Sequence, residues 1–486
     1  MFCIDKDKLY TREKNLSIII FMLVAFSIFI VYCVVDNVES LAYNKLRVLG
    51  LMGWGALISF FIFYRHITSV YITPTTILVL SMFSFCYGQI LLFGLGVDYD
   101  YFFTNSYYAS FYSNDFKILL SSSFYTLMCL CVFCLGILIS ISPKRTNTEK
   151  NIFFCKSMKK TFLALFFISG IPYFIYNVYL ASYSLSYGYS QSLEITQPAI
   201  IRYVGVFFVP SAIGAIISCK RDKALKTFLA FFTAVNCVCA FIIGGRSFAV
   251  GLIIGVAIVL FIDKRVSGKV ILLLCIGAFI LGTISVSIAD YRSAVNDSSF
   301  ISIIIYNLFQ KNVLIRFLGE AGFSGTSIVW TMKLVKSGQE TFGGMTYIGA
   351  VAGLIPSTLD FFDIFRYFEQ YTQLEGLLTE RFSLGYGVGF SLIAESYLNF
   401  KWFGVIPMFF EAIILGKLLN LDRTADPWKR YVAVTMMSVL LSIPRRDIVF
   451  LSNQFTLCVI FPYIFIRIVM AFSVPKTSYI YGCKEK

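Results

Sequence analysis

The apolar residues of this chain come in long unbroken runs separated by short charged or Gly/Pro-marked breaks, and they do not alternate with polar ones as the strands of a membrane barrel would. A helix needs about 20 such residues to cross a hydrocarbon layer. Runs of that kind fall near 16–35, 48–64, 70–93, 118–141, 161–181, 201–218, 226–243, 248–262, 270–288, 404–420, 431–443 and 448–470. The pattern predicts an all-α polytopic membrane protein of about twelve transmembrane helices with one large, partly helical loop. It divides the chain into 1–288 with the first nine helices, 289–403 as the large loop, and 404–486 with the last three helices and a tail.

Within the loop, Phe300–Leu318 and Ser327–Val335 are apolar enough to form helices lying against the membrane, and Tyr347–Leu354 can dip into it before Pro356 stops it. The glycine-punctuated run Ser383–Phe390 follows. Gly389–Phe400 is then too short to cross, so a re-entrant or interfacial helix is expected there, ending at Lys401-Trp-Phe-Gly404. Backbone that breaks at membrane depth is tolerated where it lines a cavity.

Composition agrees with the pattern: 58% of residues are hydrophobic and 14% charged, more apolar surface than one water-soluble core can hide. The net charge of +14 is unevenly spread. Placing both termini in the cytoplasm puts the lysine and arginine excess on the inner side, as in Lys156, Lys159, Lys160 and Lys220-Arg221, and leaves the large loop outside. Charge of this kind anchors helix ends at an anionic leaflet and calls for no nucleic-acid partner. Lysine outnumbers arginine inside, whereas arginine outnumbers lysine outside, where its planar fork suits phosphate oxygens or simply the outer carboxylates. The first run is long enough to span and carries no convincing cleavage pattern. Cys131-Val-Phe-Cys134 has redox spacing but sits in a lipid-grade run, where packing is the expected role. Asp98-Tyr-Asp100 lies outside, away from nucleotide sugars. Because no phosphate-binding glycine loop, histidine cluster or nucleophile triad occurs, and His66 is the one histidine, neither a metal nor another cofactor is expected.

The candidate chemistry lies at the outer breaks. Gly244-Gly245-Arg246-Ser247 and Pro444-Arg445-Arg446-Asp447 are tight hairpins that leave arginines at the mouth of the bundle, and Arg202 opens a span nearby. Arg292, Arg316, Arg366 and Arg381 lie in the large loop. Glu395 and Glu411 are carboxyls inside apolar segments, where function is the default hypothesis and a structural ion pair the alternative. With Asp290, they are candidates for the general base, since burial and a neighbouring arginine pull a carboxyl's proton affinity in opposite directions. An outward cavity holding arginines, carboxylates and aromatics suits a lipid that carries a diphosphate and a sugar chain.

The segment Gly387-Val-Gly-Phe-Ser-Leu-Ile-Ala-Glu395-Ser-Tyr397-Leu-Asn399-Phe-Lys-Trp-Phe-Gly404, together with the Gly-Arg turn and the late outer loop, resembles the Wzy-type polymerases of bacterial O-antigen and capsule repeat units. The Arg-x10-Gly pattern of some members is absent; Gly376 stands one position early after Arg366. The resemblance implies a GT-C-like architecture in the bacterial inner membrane and a metal-independent glycosyltransferase. It would move a growing glycan from undecaprenyl diphosphate onto the next lipid-linked repeat, with a Wzz-type chain-length regulator as partner. From the residues themselves, Arg246, Arg292, Arg445, Arg446, Arg202, Arg316, Arg366 and Arg381 are candidate diphosphate ligands, Glu395, Asp290 and Glu411 candidate bases, and Tyr386, Tyr397 and Asn399 candidate glycan contacts. Two rivals share the architecture: an O-antigen ligase, whose family relies on a histidine in the outer loop, and a lipid-linked oligosaccharide flippase, which would line its spans with charge.

Overall fold

The computed structural model describes residues 6–37, 42–97, 115–142, 152–187, 195–219, 222–243, 246–261, 300–310, 313–355, 367–372, 374–383, 389–423 and 426–473, with scattered positions between 276 and 287. In chain order its helices are α1 (Lys6–Asn37), α2 (Ala42–Thr68), α3 (Pro74–Gly94), α4 (Phe116–Ser140), α5 (Ile152–Tyr187), α6 (Ala199–Gly205), α7 (Phe208–Ser218), α8 (Lys223–Ile243) and α9 (Arg246–Phe261). The later half adds α10 (Phe300–Gln310), α11 (Val313–Gly322), α12 (Thr326–Lys336), α13 (Met345–Ala352), α14 (Glu369–Thr372) and α15 (Leu374–Arg381). The chain ends with α16 (Leu392–Phe400), α17 (Val405–Leu419), α18 (Pro427–Leu440), α19 (Ile448–Phe455) and α20 (Phe461–Ser473).

The protein is an all-helical, multi-pass membrane protein. Among the described residues, nine stretches are long and apolar enough to cross a membrane. Of the remaining expected spans, 248–262 falls on α9, whose apolar part Ala249–Leu260 is shorter than a full crossing, and 431–443 falls on the 14-residue α18. The run 270–288 lies mostly outside the described residues.

The chain forms two compact units, each assembled from pieces distant in sequence. The first takes in α1–α4, α11–α17 and the Pro444 hairpin. Its helix ends are closed by side chains. Thr73 and Thr76 form a reciprocal cap at the start of α3, with Pro74 in the first turn, where its missing N–H costs nothing. Lys14 donates to the carbonyls of Ile139 and Ile141 at 2.7 and 2.6 Å, so a lysine of α1 satisfies the carbonyl end of α4. Helices α2 and α3 touch at Gly50 and Gly94, whose backbones come too close for a side chain on either.

Part of the large loop belongs to this unit's core. Helix α11 lies on α3, where Gln89 Nε2 donates to the Gly319 carbonyl at 2.8 Å. Helix α12 buries Ser327, Val329, Thr331 and Leu334 while packing on α4 and α16. The expected membrane-lying helix at 327–335 is therefore present, but it is packed into protein.

In the second unit, α5 packs on α7, α8 and α20. Asn177 and Asn236 join α5 to α8 through a buried 2.7 Å hydrogen bond, and Phe166, Phe208 and Phe232 fill the space beside them. Thr456–Ile460 forms a π-helical turn, and Tyr431, fully buried, donates to the Cys458 carbonyl within it.

Candidate active site

Helix α16 begins at Ser391, whose hydroxyl accepts the Ala394 N–H at 3.2 Å, and every residue from Leu392 to Asn399 is buried. It stops at Lys401, which takes φ +52, a backbone region L-residues seldom adopt. A 3-10 turn over Lys401–Gly404 then leads into α17. The expected short helix is present, and with α17 it makes one interrupted apolar stretch. Gly404 is required at the break, because a side chain there would meet the Tyr125 hydroxyl and the Ser396 carbonyl. Tyr125 in turn shares a 2.9 Å hydrogen bond with the Ser396 hydroxyl.

Glu395 sits in the middle of α16 and is 0% exposed. Its Oε2 accepts the Ile448 N–H at 2.8 Å, at the start of α19. Asp447 Oδ1 accepts the Phe450 N–H at 3.0 Å at the same helix end. The first turn of α19 thus has two of its otherwise orphaned N–H groups satisfied by carboxylates, with the helix dipole favouring both. Glu395 Oε1 has no partner. Glu411, on α17, is 8% exposed, and neither of its oxygens has one. Neither carboxyl forms an ion pair among the described residues. A buried carboxyl is expensive to hold, so each of these two calls for a role.

One helical turn beyond Glu395, Asn399 is committed to the protein. Its Nδ2 donates to Thr346 Oγ1 and to the Glu395 carbonyl, both at 2.8 Å, and its Oδ1 accepts the Gly344 N–H at 2.9 Å. These bonds fasten the start of α13 to α16. They also bring in Tyr347, whose ring stacks on Phe400 at 5.9 Å. The Tyr347 hydroxyl is buried, with Glu411 its strongest charged neighbour and Glu395 the next. Burial holds this phenol well above the usual tyrosine range, and the charges of Glu411 and Glu395 add to the effect, so it remains a neutral donor. Tyr397 packs edge-on against Tyr125, with ring centroids 5.1 Å apart, and against Trp402.

Gly389 and Phe390 meet the Pro444 hairpin. Gly389 has φ +70, and the Phe390 N–H donates to the Arg445 carbonyl at 3.3 Å. A Cβ on Gly389 would stand 3.3 Å from that carbonyl and 3.7 Å from Arg445 Nε. Arg445 and Arg446 are both exposed, and the Arg446 guanidinium lies 5.3 Å from the Phe450 ring.

The other candidates are placed unevenly. Arg316 donates to Asn307 Oδ1 at 3.0 Å, and Arg381 is exposed at the end of α15; neither pairs with Glu395 or Glu411. Arg202 lies on α6 and Arg246 opens α9, with side chains outside the described residues. Asp290, Arg292, Arg366 and Tyr386 lie wholly outside them. The structure places Glu395, Tyr397 and Asn399 on α16, Glu411 on α17, and Arg445 and Arg446 in the hairpin just before Ile448, whose N–H donates to Glu395. It adds Tyr347, Thr346 and Ser396, which the sequence pattern did not single out. Among the described residues no group of three or more His, Cys, Asp or Glu is placed to hold a metal ion.

Against known families, the model described as "O-antigen polysaccharide polymerase Wzy" matches residues 17–476, nearly the whole chain. The chain belongs to the Wzy family. The resemblance carried by Gly387–Gly404 and the Gly-Arg turns is borne out, and membership establishes a polysaccharide polymerase of the glycosyltransferase type. Every residue of the buried cluster falls within the part that the Wzy model matches. No curated protein and no solved structure matches the chain.

Proposed function

We propose that the protein polymerises undecaprenyl-diphosphate-linked oligosaccharide repeat units at the outer, periplasmic face of the bacterial inner membrane, with both termini in the cytoplasm. The growing glycan leaves its lipid diphosphate and joins the non-reducing end of the next lipid-linked repeat. The leaving diphosphate supplies the driving force, so no nucleotide sugar and no metal enters. Arg445 and Arg446 face the leaving group, with Arg246, Arg292, Arg202, Arg316, Arg366 and Arg381 as further ligands from the outer breaks and loop. Glu395 takes the proton of the attacking hydroxyl; Asp290 and Glu411 are the alternatives. Tyr386, Tyr397 and Asn399 contact the glycan. A Wzz-type regulator sets the final length.

The observation that carries this reading is the asymmetry of Glu395: one oxygen accepts the N–H of Ile448, which lies two residues along the chain from the exposed Arg446, and the other accepts no hydrogen bond. A fixed carboxyl with one open oxygen is pre-aimed for proton transfer. The test is a reconstitution in liposomes with lipid-diphosphate-linked repeat units. Longer lipid-linked glycan with released lipid diphosphate is expected, and its yield is unchanged by a chelator. Movement of substrate across the bilayer without growth would assign a flippase, and transfer only to a lipid A core acceptor would assign a ligase.

A further inference from the structure

Lys401 closes α16 in a conformation that suits another residue. Its φ of +52 and ψ of −131 lie in backbone space that glycine enters freely and other L-residues rarely. The closure uses backbone alone: the Lys401 N–H donates to the Tyr397 carbonyl, a bond that glycine would form with less strain. The side chain is exposed, and among the described residues its ammonium meets neither a carboxylate nor a hydrogen-bond acceptor. Strain kept for a side chain that bonds to no part of the fold implies a partner outside it.

The surroundings say what kind of partner. Trp402 is 46% and Phe403 76% exposed, and beyond them Ile406, Phe410 and Ile414 continue an exposed apolar stripe down one face of α17 at helical spacing. The Trp402 ring is fixed edge-on to Tyr125 at 5.5 Å, and among the described residues its indole N–H has no acceptor. A cation and a donor at the head of a lipid-facing stripe suit an amphiphile with an anionic head and a long tail.

We propose that Lys401 and Trp402 form an entry site that holds the diphosphate of the lipid-linked substrate, with the lipid tail along Ile406, Phe410 and Ile414. This rests on the reading of the protein as a polymerase of lipid-diphosphate-linked repeat units. The ammonium attracts the phosphate oxygens, and Trp402, an apolar body with one donor, sits where head meets tail. An ordinary headgroup anchor does not account for the strain: a lysine stem is long enough to snorkel from neighbouring positions, so an anchor has no need of this one backbone conformation. Lys401 lies past the end of the helix that carries Glu395, on the order of 8 Å further along its axis. It therefore gathers substrate, and its effect belongs in KM.

The experiment compares wild type, Lys401→Gly, Lys401→Gln and Lys401→Arg in liposomes supplied with lipid-diphosphate-linked repeat units, once in phosphatidylcholine alone and once with added phosphatidylglycerol. Lys401→Gly should melt no lower than wild type, because it relieves the backbone, yet raise KM roughly tenfold with kcat nearly unchanged in both kinds of liposome. Lys401→Gln keeps the strain and loses the charge, and should raise KM by a similar factor; Lys401→Arg keeps a charge and should recover most of the wild-type KM. Should Lys401→Gly fail to fold, Lys401→Gln carries the same KM expectation. A wild-type KM in the folded glycine and glutamine variants would overturn the proposal. So would a defect confined to liposomes with phosphatidylglycerol, which would assign Lys401 to bulk phospholipid. If wild type itself makes no polymer, the functional reading falls and the entry site with it; if wild type polymerises and the variants match it, only the entry site falls.

Discussion

Glu395 and Ile448 are joined across 53 residues of chain by a 2.8 Å hydrogen bond from a backbone N–H to a buried carboxylate oxygen. This one contact ties the short helix after the large loop to the helix after the arginine hairpin. Glu395→Ala should therefore lower stability as well as activity, by about 1–3 kcal/mol, because the half-buried Ile448 N–H loses its acceptor. Glu395→Gln keeps an oxygen at the same place and should unfold close to wild type. Thermal unfolding in detergent separates the two.

Gly389 lies against Arg445 with φ +70. Gly389→Ala pays the left-handed penalty of roughly 1–2 kcal/mol and also pushes on the Arg445 carbonyl. Shorter surface glycan is expected from this variant even where the protein reaches normal levels in the membrane. Gel separation of lipopolysaccharide from a complemented deletion strain reads it out.

Asn399 uses both amide hydrogens and its carbonyl on protein partners. Asn399→Ala should cost about 1–3 kcal/mol by leaving Gly344 N–H unpaired, and should loosen α13 more than α16. Hydrogen exchange of the purified protein is the measurement: faster exchange at residues 344–350 is expected, with little change at 405–419.

The exposed arginine pair can be tested without disturbing the core. Arg446→Ala should lower kcat roughly 100-fold, the scale seen when one charge-stabilising donor is lost, and Arg446→Lys should recover part of it. Both should fold as wild type, because Arg446 is exposed. Polymerisation rates of the purified variants, measured beside their melting temperatures, check this.

Much of this was legible in the chain. Long apolar runs placed the spans because lipid demands them, and Glu395 and Glu411 stood out because a carboxyl in such a run is costly. The hairpin arginines were marked by the breaks that hold them. What pattern could not convey was pairing over distance: that Gly389 would lie on Arg445, or that Glu395 would accept the Ile448 N–H. Tyr347 escaped notice because tyrosine in an apolar loop segment has the composition of an interfacial belt. Asn399 was expected to face glycan, yet its neighbours in space come from residues 344–346, far off in sequence. Helix α12 was expected at the membrane surface because its apolar content is equally suited to a protein core.

The most direct measurement is the length of lipid-linked glycan made by purified Glu395→Gln in liposomes supplied with lipid-diphosphate-linked repeat units. A folded protein that binds substrate but makes polymer at least 100-fold more slowly is expected, in line with loss of a general base. A wild-type ladder from this variant would contradict the assignment of Glu395.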